Sequence, residues 1–532
     1  MSKAGITAAT LLGREVQIDF GPLFAALLDL AWQTLTHDPA DALEQIMTRV
    51  LPERGMFGSL ERTQHQVAAL VGRAAHRAIL DLVVHHIHLF ADPIAHRSAH
   101  DDSARSGDDA NDVRIVFDLA SVSFAEPERT PFVSALQGRL EAWLAWRGLT
   151  DTVAETVSTR LGEYYAAALS CEWSDDKADD PDIARFLALV SMPVQWRYPG
   201  WRKHLALIKR RPHEPLLGEC FSLAQIYQPP RAWCSQPGTS RIVVDAMTAL
   251  SGWWVRREPD DILRVLTGAA GRGKSALARM FAARTVETGG FVLAIDFLRL
   301  RLKRDVTEAI ASYAAAHGWP REVFPSAVHG PLLLIFDNID DALDRGALTY
   351  GALIRFVDDL TRYVCRADRA PAAVMALLVA RDTTVAALGS ALLPERSCLE
   401  IIPYGAVASE PLRDAEPSDL LAIDQRVNWW RAYGRLTGRD YDGIPARLAH
   451  RAPSTVEPLN NHLIARAFIE GQIGPDASRV SPSDAYAALV VRAQPRLSEL
   501  DRISRRRDEG VSRDPLRPLR PRFRIGSCAR SR

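Results

Sequence analysis

Gly268-Ala269-Ala270-Gly271-Arg272-Gly273-Lys274-Ser275 stands between an apolar run, Ile262 to Thr267, and a stretch of helical spacing that begins near Ser275. The pattern is G-x-x-x-x-G-K-[ST]. Glycines let successive backbone N–H groups converge on one anion, the lysine reaches the terminal phosphates, and the serine hydroxyl lies at a helix N-terminus where it can ligate Mg²⁺. Strand, glycine loop and helix in that order predict a phosphate cradle for a nucleoside triphosphate. Its contacts are Gly268, Gly271, Arg272, Gly273, Lys274, Ser275 and Ala276. A chain of this length meets the pattern by accident on the order of once in a hundred, and the flanking strand and helix lower that further.

Beyond the loop, short apolar runs alternate with helical stretches: Ile262 to Thr267, Phe291 to Ile295, Leu332 to Phe336, Val374 to Ala380 and Leu399 to Ile402. Strands separated by helices predict an α/β fold with a parallel sheet. Gly289-Gly290 supplies a helix stop just before the second run. Leu332 to Phe336 delivers Asp337 at the C-terminal end of a buried strand, where ligands of open α/β sheets collect. Asp337 is therefore placed to hold the Mg²⁺ that Ser275 also contacts, through water. Asp340 and Asp341 follow, and either could orient an attacking water; carboxylates there equally suit a helix N-terminus. Val374 to Ala380 ends in Arg381, a cation positioned to sense a γ-phosphate or to pair with Asp382 or another neighbour as a surface ion pair.

The order of these parts resembles the STAND class of signalling ATPases, in particular bacterial NACHT-type proteins. The resemblance rests on Gly268 to Ser275 as Walker A, on Leu332 to Asp341 (LLLIFDNIDD) as Walker B, on Arg381 at a strand end, and on Leu399 to Pro403. It continues, with less specific motifs, through Ile226 to Trp233 (IYQPPRAW), Gln425 to Arg431 (QRVNWWR) and Glu457-Pro458-Leu459, and covers roughly 220 to 490. The family's Walker B reads D-G-L-D-E; here Asn338 stands for the glycine and Asp341 for the glutamate, which keeps the charge and shortens its reach by one methylene. The resemblance implies an ATP/ADP-binding switch with Mg²⁺ and slow hydrolysis. Lys274, Asp341 and Arg381 would be its catalytic residues, Ser275 and Asp337 its metal ligands, and Pro458 would approach the adenine. It also implies ADP holding a closed form and ATP permitting self-association or partner binding.

The remaining chain divides by rhythm. Residues 1–195 space their apolar positions by three and four, as in Leu23-Ala26-Leu27-Leu30, and predict a mostly helical region, with a possible split at 100–115 where the polar stretch 97–111 intervenes. Residues 196–240 form a connector rich in proline and tryptophan that packs on its neighbours. The nucleotide domain spans 241–403, and helical spacing returns over 404–495. Residues 496–532 hold arginines and prolines with almost no apolar pattern and predict a disordered basic tail, the one place where nucleic acid could touch the chain. This ending, with no sensor repeats after the helical unit, reads as truncated, as served by a separate sensor, or as out of frame.

Composition excludes several classes. Basic and acidic residues balance at 65 each, so no bulk field drives the chain to nucleic acid or membrane. Six cysteines are scattered without ligand spacing, the N-terminus leads into no signal-peptide core, and no apolar run approaches a membrane span. These point to a cytoplasmic protein. His65, His76, His85, His86, His88, His96 and His100 crowd the first region without completing a metal set. No [NT]-K-x-D motif occurs, which disfavours a GTPase. A catalytically inactive nucleotide-binding scaffold and, with less support, a small-molecule kinase remain beside the switch.

Overall fold

The computed structural model describes residues 17–19, 59–90, 116–118, 126–175, 199–235, 241–302, 305–317, 331–365, 374–389, 393, 397–405, 419–449 and 455–471. The polar stretch 97–111, His96, His100, residues 472–495 of the second helical unit and the basic tail lie outside them.

Nine strands are found among these residues. β1 (Gln17–Asp19) and β2 (Val116–Asp118) pair antiparallel, Gln17 opposite Asp118, so the first region is not helical throughout. The main sheet contains β3 (Arg231–Cys234), β4 (Ile242–Asp245), β5 (Leu263–Thr267), β6 (Phe291–Asp296), β7 (Leu332–Asp337), β8 (Val374–Val379) and β9 (Cys398–Ile401). Their spatial order is β4-β3-β9-β5-β8-β7-β6. Five strands, β5 to β9, are mutually parallel, and each coincides with one of the apolar runs.

The sheet is mixed rather than parallel throughout. β3 runs antiparallel to both β9 and β4, with Ala232 opposite Ile401 and Val244. The Pro/Trp-rich connector thus contributes a strand of the main sheet. Pro229-Pro230 directly precede β3 and end the segment before it, and the short link to β4 lets the two pair as an edge hairpin.

From β5 the chain crosses to the far edge at β6, returns through β7 and β8, and then places β9 on the other side of β5. The crossover opens a crevice at the C-terminal end of β5, the position where open α/β sheets bind ligands. Every residue of β8 is buried, as are the first five of β7, so both faces of the sheet are covered.

The helices, in chain order, are α1 (Ser59–His86), α2 (Pro131–Trp146), α3 (Asp151–Ser158), α4 (Leu161–Asp175), α5 (Pro199–Arg210), α6 (Leu223–Ile226), α7 (Ala246–Arg256) and α8 (Lys274–Glu287). They continue as α9 (Val306–Ala316), α10 (Ile339–Asp344), α11 (Tyr350–Val364), α12 (Asp382–Leu388), α13 (Asp419–Ala422), α14 (Gln425–Thr437), α15 (Ala446–Ala449) and α16 (Pro458–Ile469). α11 shows how the covering helices are specified. Thr349 caps it by accepting from Ala352 N at 3.2 Å, and Leu353, Phe356, Val357, Leu360 and Val364 recur at helical spacing to bury one face.

One apolar cluster joins the sheet to α5, α7, α8, α9 and α11. A second unites α1, α2, α3 and α4 with Phe221, Ile226, Tyr404, Trp429, Trp430, Tyr433, Leu448, Ile464 and Ala465. α1 to α4, before the sheet, and α14 to α16, after it, therefore share one core. No described helix is long and apolar enough to cross a membrane.

Candidate functional site

The loop after β5 turns on Gly268, Gly271 and Gly273, whose φ values are +138°, +81° and +88°. Gly273 is the N-cap of α8 in the left-handed region, where a side chain would be strained. Lys274 follows as the first helical residue, largely buried, and its Nζ donates to the carbonyls of Gly268 (2.7 Å) and Ala269 (2.9 Å). Burial pulls its pKa down, while Asp340 and Asp382 oppose that shift.

Ser275 Oγ donates to Asp337 Oδ1 at 2.9 Å, so the two residues expected to share a metal ion are in direct contact. Two hard oxygen donors at the mouth of a helix suit Mg²⁺. Asp337 ends β7 and also accepts from Asn338 N at 2.9 Å. Burial pushes its pKa up, against these two hydrogen bonds and the nearby charge of Arg279. Asn338 takes φ +62° and donates through Nδ2 to Asp296 Oδ1 at 2.9 Å. Asparagine is among the residues that tolerate this left-handed conformation.

The two following carboxylates separate. Asp340 accepts from Arg381 N at 3.0 and 2.9 Å and from Thr384 Oγ1 at 2.6 Å, so it caps α12 and ties the end of β8 to α10. Asp341 is half-exposed, and its Oδ1 lies 3.8 Å from Arg381 Nη2. Arg381 is the N-cap of α12, and its Nη1 pairs with Asp344 at 2.9 Å. Asp382, the neighbour first expected to pair with it, instead accepts from Thr267 Oγ1 at 2.7 Å.

Arg272 leans away from the loop's centre, its Nε 3.4 Å from Glu457 Oε1 and its Nη1 3.1 Å from the Ile401 carbonyl. Glu457 caps α16, and Leu459 N donates to Gly271 O at 3.2 Å. Pro458 opens α16 against Gly273; a Cβ built on that glycine would meet its Cγ at 3.9 Å. The residues of the loop, the end of β7 and the start of α16 thus converge, whereas Asp341 and Arg381 lie together beyond the end of β8.

A cavity of about 280 Å³ opens on the loop. Gly271 to Ala276 line one side, Leu216, Leu217, Leu223, Ile226 and Tyr227 a second, and Tyr404, Trp429, Pro458, Leu459 and His462 a third. The second and third walls are apolar or aromatic, with buried polar atoms that make no hydrogen bond within the protein: the Tyr227 hydroxyl and both ring nitrogens of His462. An apolar slot with a few unpaired polar groups beside the glycine loop has the character of a small-ligand site. Sequence reasoning reached Gly271 to Ala276 and Pro458 but assigned no role to the other wall residues. Tyr227 and Trp429 fall inside quoted segments; a lone histidine in an apolar helix carries no signal of its own.

His85 and His86 of the first helical region serve its packing. His86 donates from Nδ1 to Leu82 O at 2.6 Å and accepts at Nε2 from the buried Arg160, and His85 Nδ1 lies 2.7 Å from the Tyr164 hydroxyl. Among the described residues no group of three or more His, Cys, Asp or Glu could hold a metal ion. Compared with known proteins, the chain matches no protein-family model and no curated protein.

Proposed function

We propose that the chain is an ATP-binding switch of the STAND/NACHT type with slow Mg²⁺-dependent hydrolysis. The reading is carried by one juxtaposition: a glycine loop with its lysine, the Ser275–Asp337 oxygen pair, and a base-sized apolar cavity all meet at the C-terminal end of β5. In this reading Lys274 exchanges the Gly268 and Ala269 carbonyls for β- and γ-phosphate oxygens. Gly268, Gly271, Arg272, Gly273 and Ala276 line the phosphate path, and Pro458 packs on the base. Ser275 and Asp337 would hold Mg²⁺, which when bound supplies positive charge to the phosphate oxygens.

Switching follows from differential contact. Arg381, now on Asp344 and Asp341, would turn to a γ-phosphate, and only the triphosphate offers that partner. Because Asp340 caps α12 through the Arg381 backbone, that turn would reach α12 and α10. The readout would be self-association or docking of a protein partner.

Lys274→Ala should weaken ATP binding by calorimetry about tenfold to hundredfold, the size of one or two lost charge-assisted hydrogen bonds, with the fold retained. Unchanged affinity would sink the site assignment. A second reading, a nucleotide-binding scaffold without turnover, is favoured by the half-exposed Asp341 and by Asp340's engagement as a cap. If phosphate release from the wild-type chain matches background and Asp341→Asn leaves it there, the scaffold reading holds.

A further inference from the structure

α16 carries one polar side chain into the cavity. Pro458 and Leu459 abut the loop, and His462, three to four residues on, lies on the same helix face one turn deeper. Its ring is buried and stands edge-on to Trp429, with centroids 6.0 Å apart, and to Phe221 and Tyr433, each at 6.2 Å. Nε2 lies 3.4 Å from Glu219 Oε1, close but without a formed hydrogen bond, and Nδ1 meets no hydrogen-bonding atom of the protein. A leucine would fill this place without a polar atom to satisfy, so the nitrogen points to a ligand.

Resting on the nucleotide reading above, we propose that His462, oriented by Glu219, reads the base, its Nδ1 accepting from the exocyclic amine of adenine and rejecting the carbonyl oxygen that guanine carries at the same ring position. The chemistry is one of tautomers. In the proposed complex the Glu219 carboxylate, now 3.4 Å from Nε2 without a formed hydrogen bond, closes on Nε2–H and leaves Nδ1 with a lone pair. Adenine meets that lone pair with N–H, whereas guanine meets it with another lone pair, and both would stay unpaired. Glu219 is a positioning residue in this arrangement.

Burial holds the His462 imidazole neutral, down at about 3, so the ring keeps one donor and one acceptor nitrogen. Burial pushes Glu219 up to about 7. In the proposed complex it accepts from Nε2 above that value, and below it the acid would donate to Nε2, leave the ring proton on Nδ1 and weaken the preference for adenine.

Around the pair stand Arg466, 3.9 Å from Glu219, and Glu470, itself paired with Arg466 at 3.1 Å. Cys220, Tyr433 and, across the cavity, Tyr227 and Tyr404 are all kept protonated because burial raises their pKa values. Arg160, which donates to the Cys220 carbonyl, Tyr441 against α14, and Lys274 and Arg272 on the loop complete the surrounding groups. Among these, Glu219 is the group placed to titrate near neutrality while touching His462.

The test is the ratio of ATP to GTP affinity, measured by calorimetry on the full chain at pH 8.5 and pH 6. Phosphate titration is common to both nucleotides and cancels in the ratio. At pH 8.5 the wild type should prefer ATP by about tenfold or more, and the preference should shrink at pH 6. His462→Leu should bring the ratio close to one. His462→Asn, whose Oδ1 can stand where Nδ1 stood, should keep most of it, and Glu219→Gln should lower the ratio and flatten its pH dependence. A wild type without preference, a folded His462→Leu with the wild-type ratio, or a flat wild-type pH profile overturns the proposal. Should His462→Leu not fold, His462→Asn and the Glu219→Gln profile decide it. Failure of both nucleotides to bind the wild type overturns the nucleotide reading and this one with it, whereas binding with an unaltered ratio overturns only this one.

Discussion

Asp337 accepts hydrogen bonds from Ser275 Oγ and Asn338 N while burial raises its pKa. A carboxyl whose folded value lies above its unfolded one loses stability as pH rises through that interval, and the whole penalty is present above the folded value. The site therefore holds a charge that its own packing disfavours, as a metal-binding carboxylate does in the absence of a counter-charge. Asp337→Asn keeps both acceptor contacts and removes the charge. It should raise Tm at pH 7.5 while abolishing the gain in ATP affinity on adding Mg²⁺; a lower Tm in thermal denaturation, or a retained Mg²⁺ effect, would count against the assignment. Three aspartates within five residues look alike in sequence, since each is a short carboxylate after a buried strand. Backbone direction separates them: the left-handed Asn338 turns the chain so that Asp337 faces Ser275, Asp340 reaches the N–H of Arg381, and Asp341 points to the open side.

At the level of elements, the parallel strands were legible because each is a continuous apolar run buried on both faces, as in Leu332 to Phe336. β3 and β4 were not, because each has four residues, lies toward one edge, and mixes Arg231, Trp233 and Asp245 into its pattern. Arg231 shows what β3 contributes. Its guanidinium donates to the carbonyls of Leu420, Leu421 and Ile423 at the end of α13, and to those of Pro403 and Gly405 after β9. One side chain thereby satisfies carbonyls that a four-residue helix leaves open and clamps that segment to the sheet. Arg231→Leu strands several buried acceptors and should lower stability by about 3 kcal/mol in denaturant titration. Arg231→Lys, a point charge without the planar fork, should recover only part of that. A loss below about 1 kcal/mol in the leucine variant would mean that water replaces the clamp.

Across the whole molecule, the spacing of apolar residues identified helical stretches on both sides of the sheet but could not pair them, since periodicity gives a helix its buried face and not the partner of that face. The pairing is specific. Gln225 Nε2 donates to Thr156 O at 2.9 Å, Thr156 Oγ1 lies 3.4 Å from Leu436 O, and Trp429, Trp430 and Tyr433 fill the core that α2, α3 and α4 also line. The cavity is built from the same pieces, because Trp429 lines it and Ile226, in the shared core, does too. A ligand bound there is therefore held by the sheet loop and by a core that reaches the first helices. If these parts unfold as one unit, ATP at about 100 times its Kd stabilises all of it by ~2.7 kcal/mol. Amides of α2 to α4 that exchange only through global opening should then slow by about a hundredfold in hydrogen exchange, although no described residue of those helices lines the cavity. Slowing confined to β5, α8 and α16, with α2 to α4 unchanged, would show instead that the first helices unfold independently of the cavity beside the glycine loop.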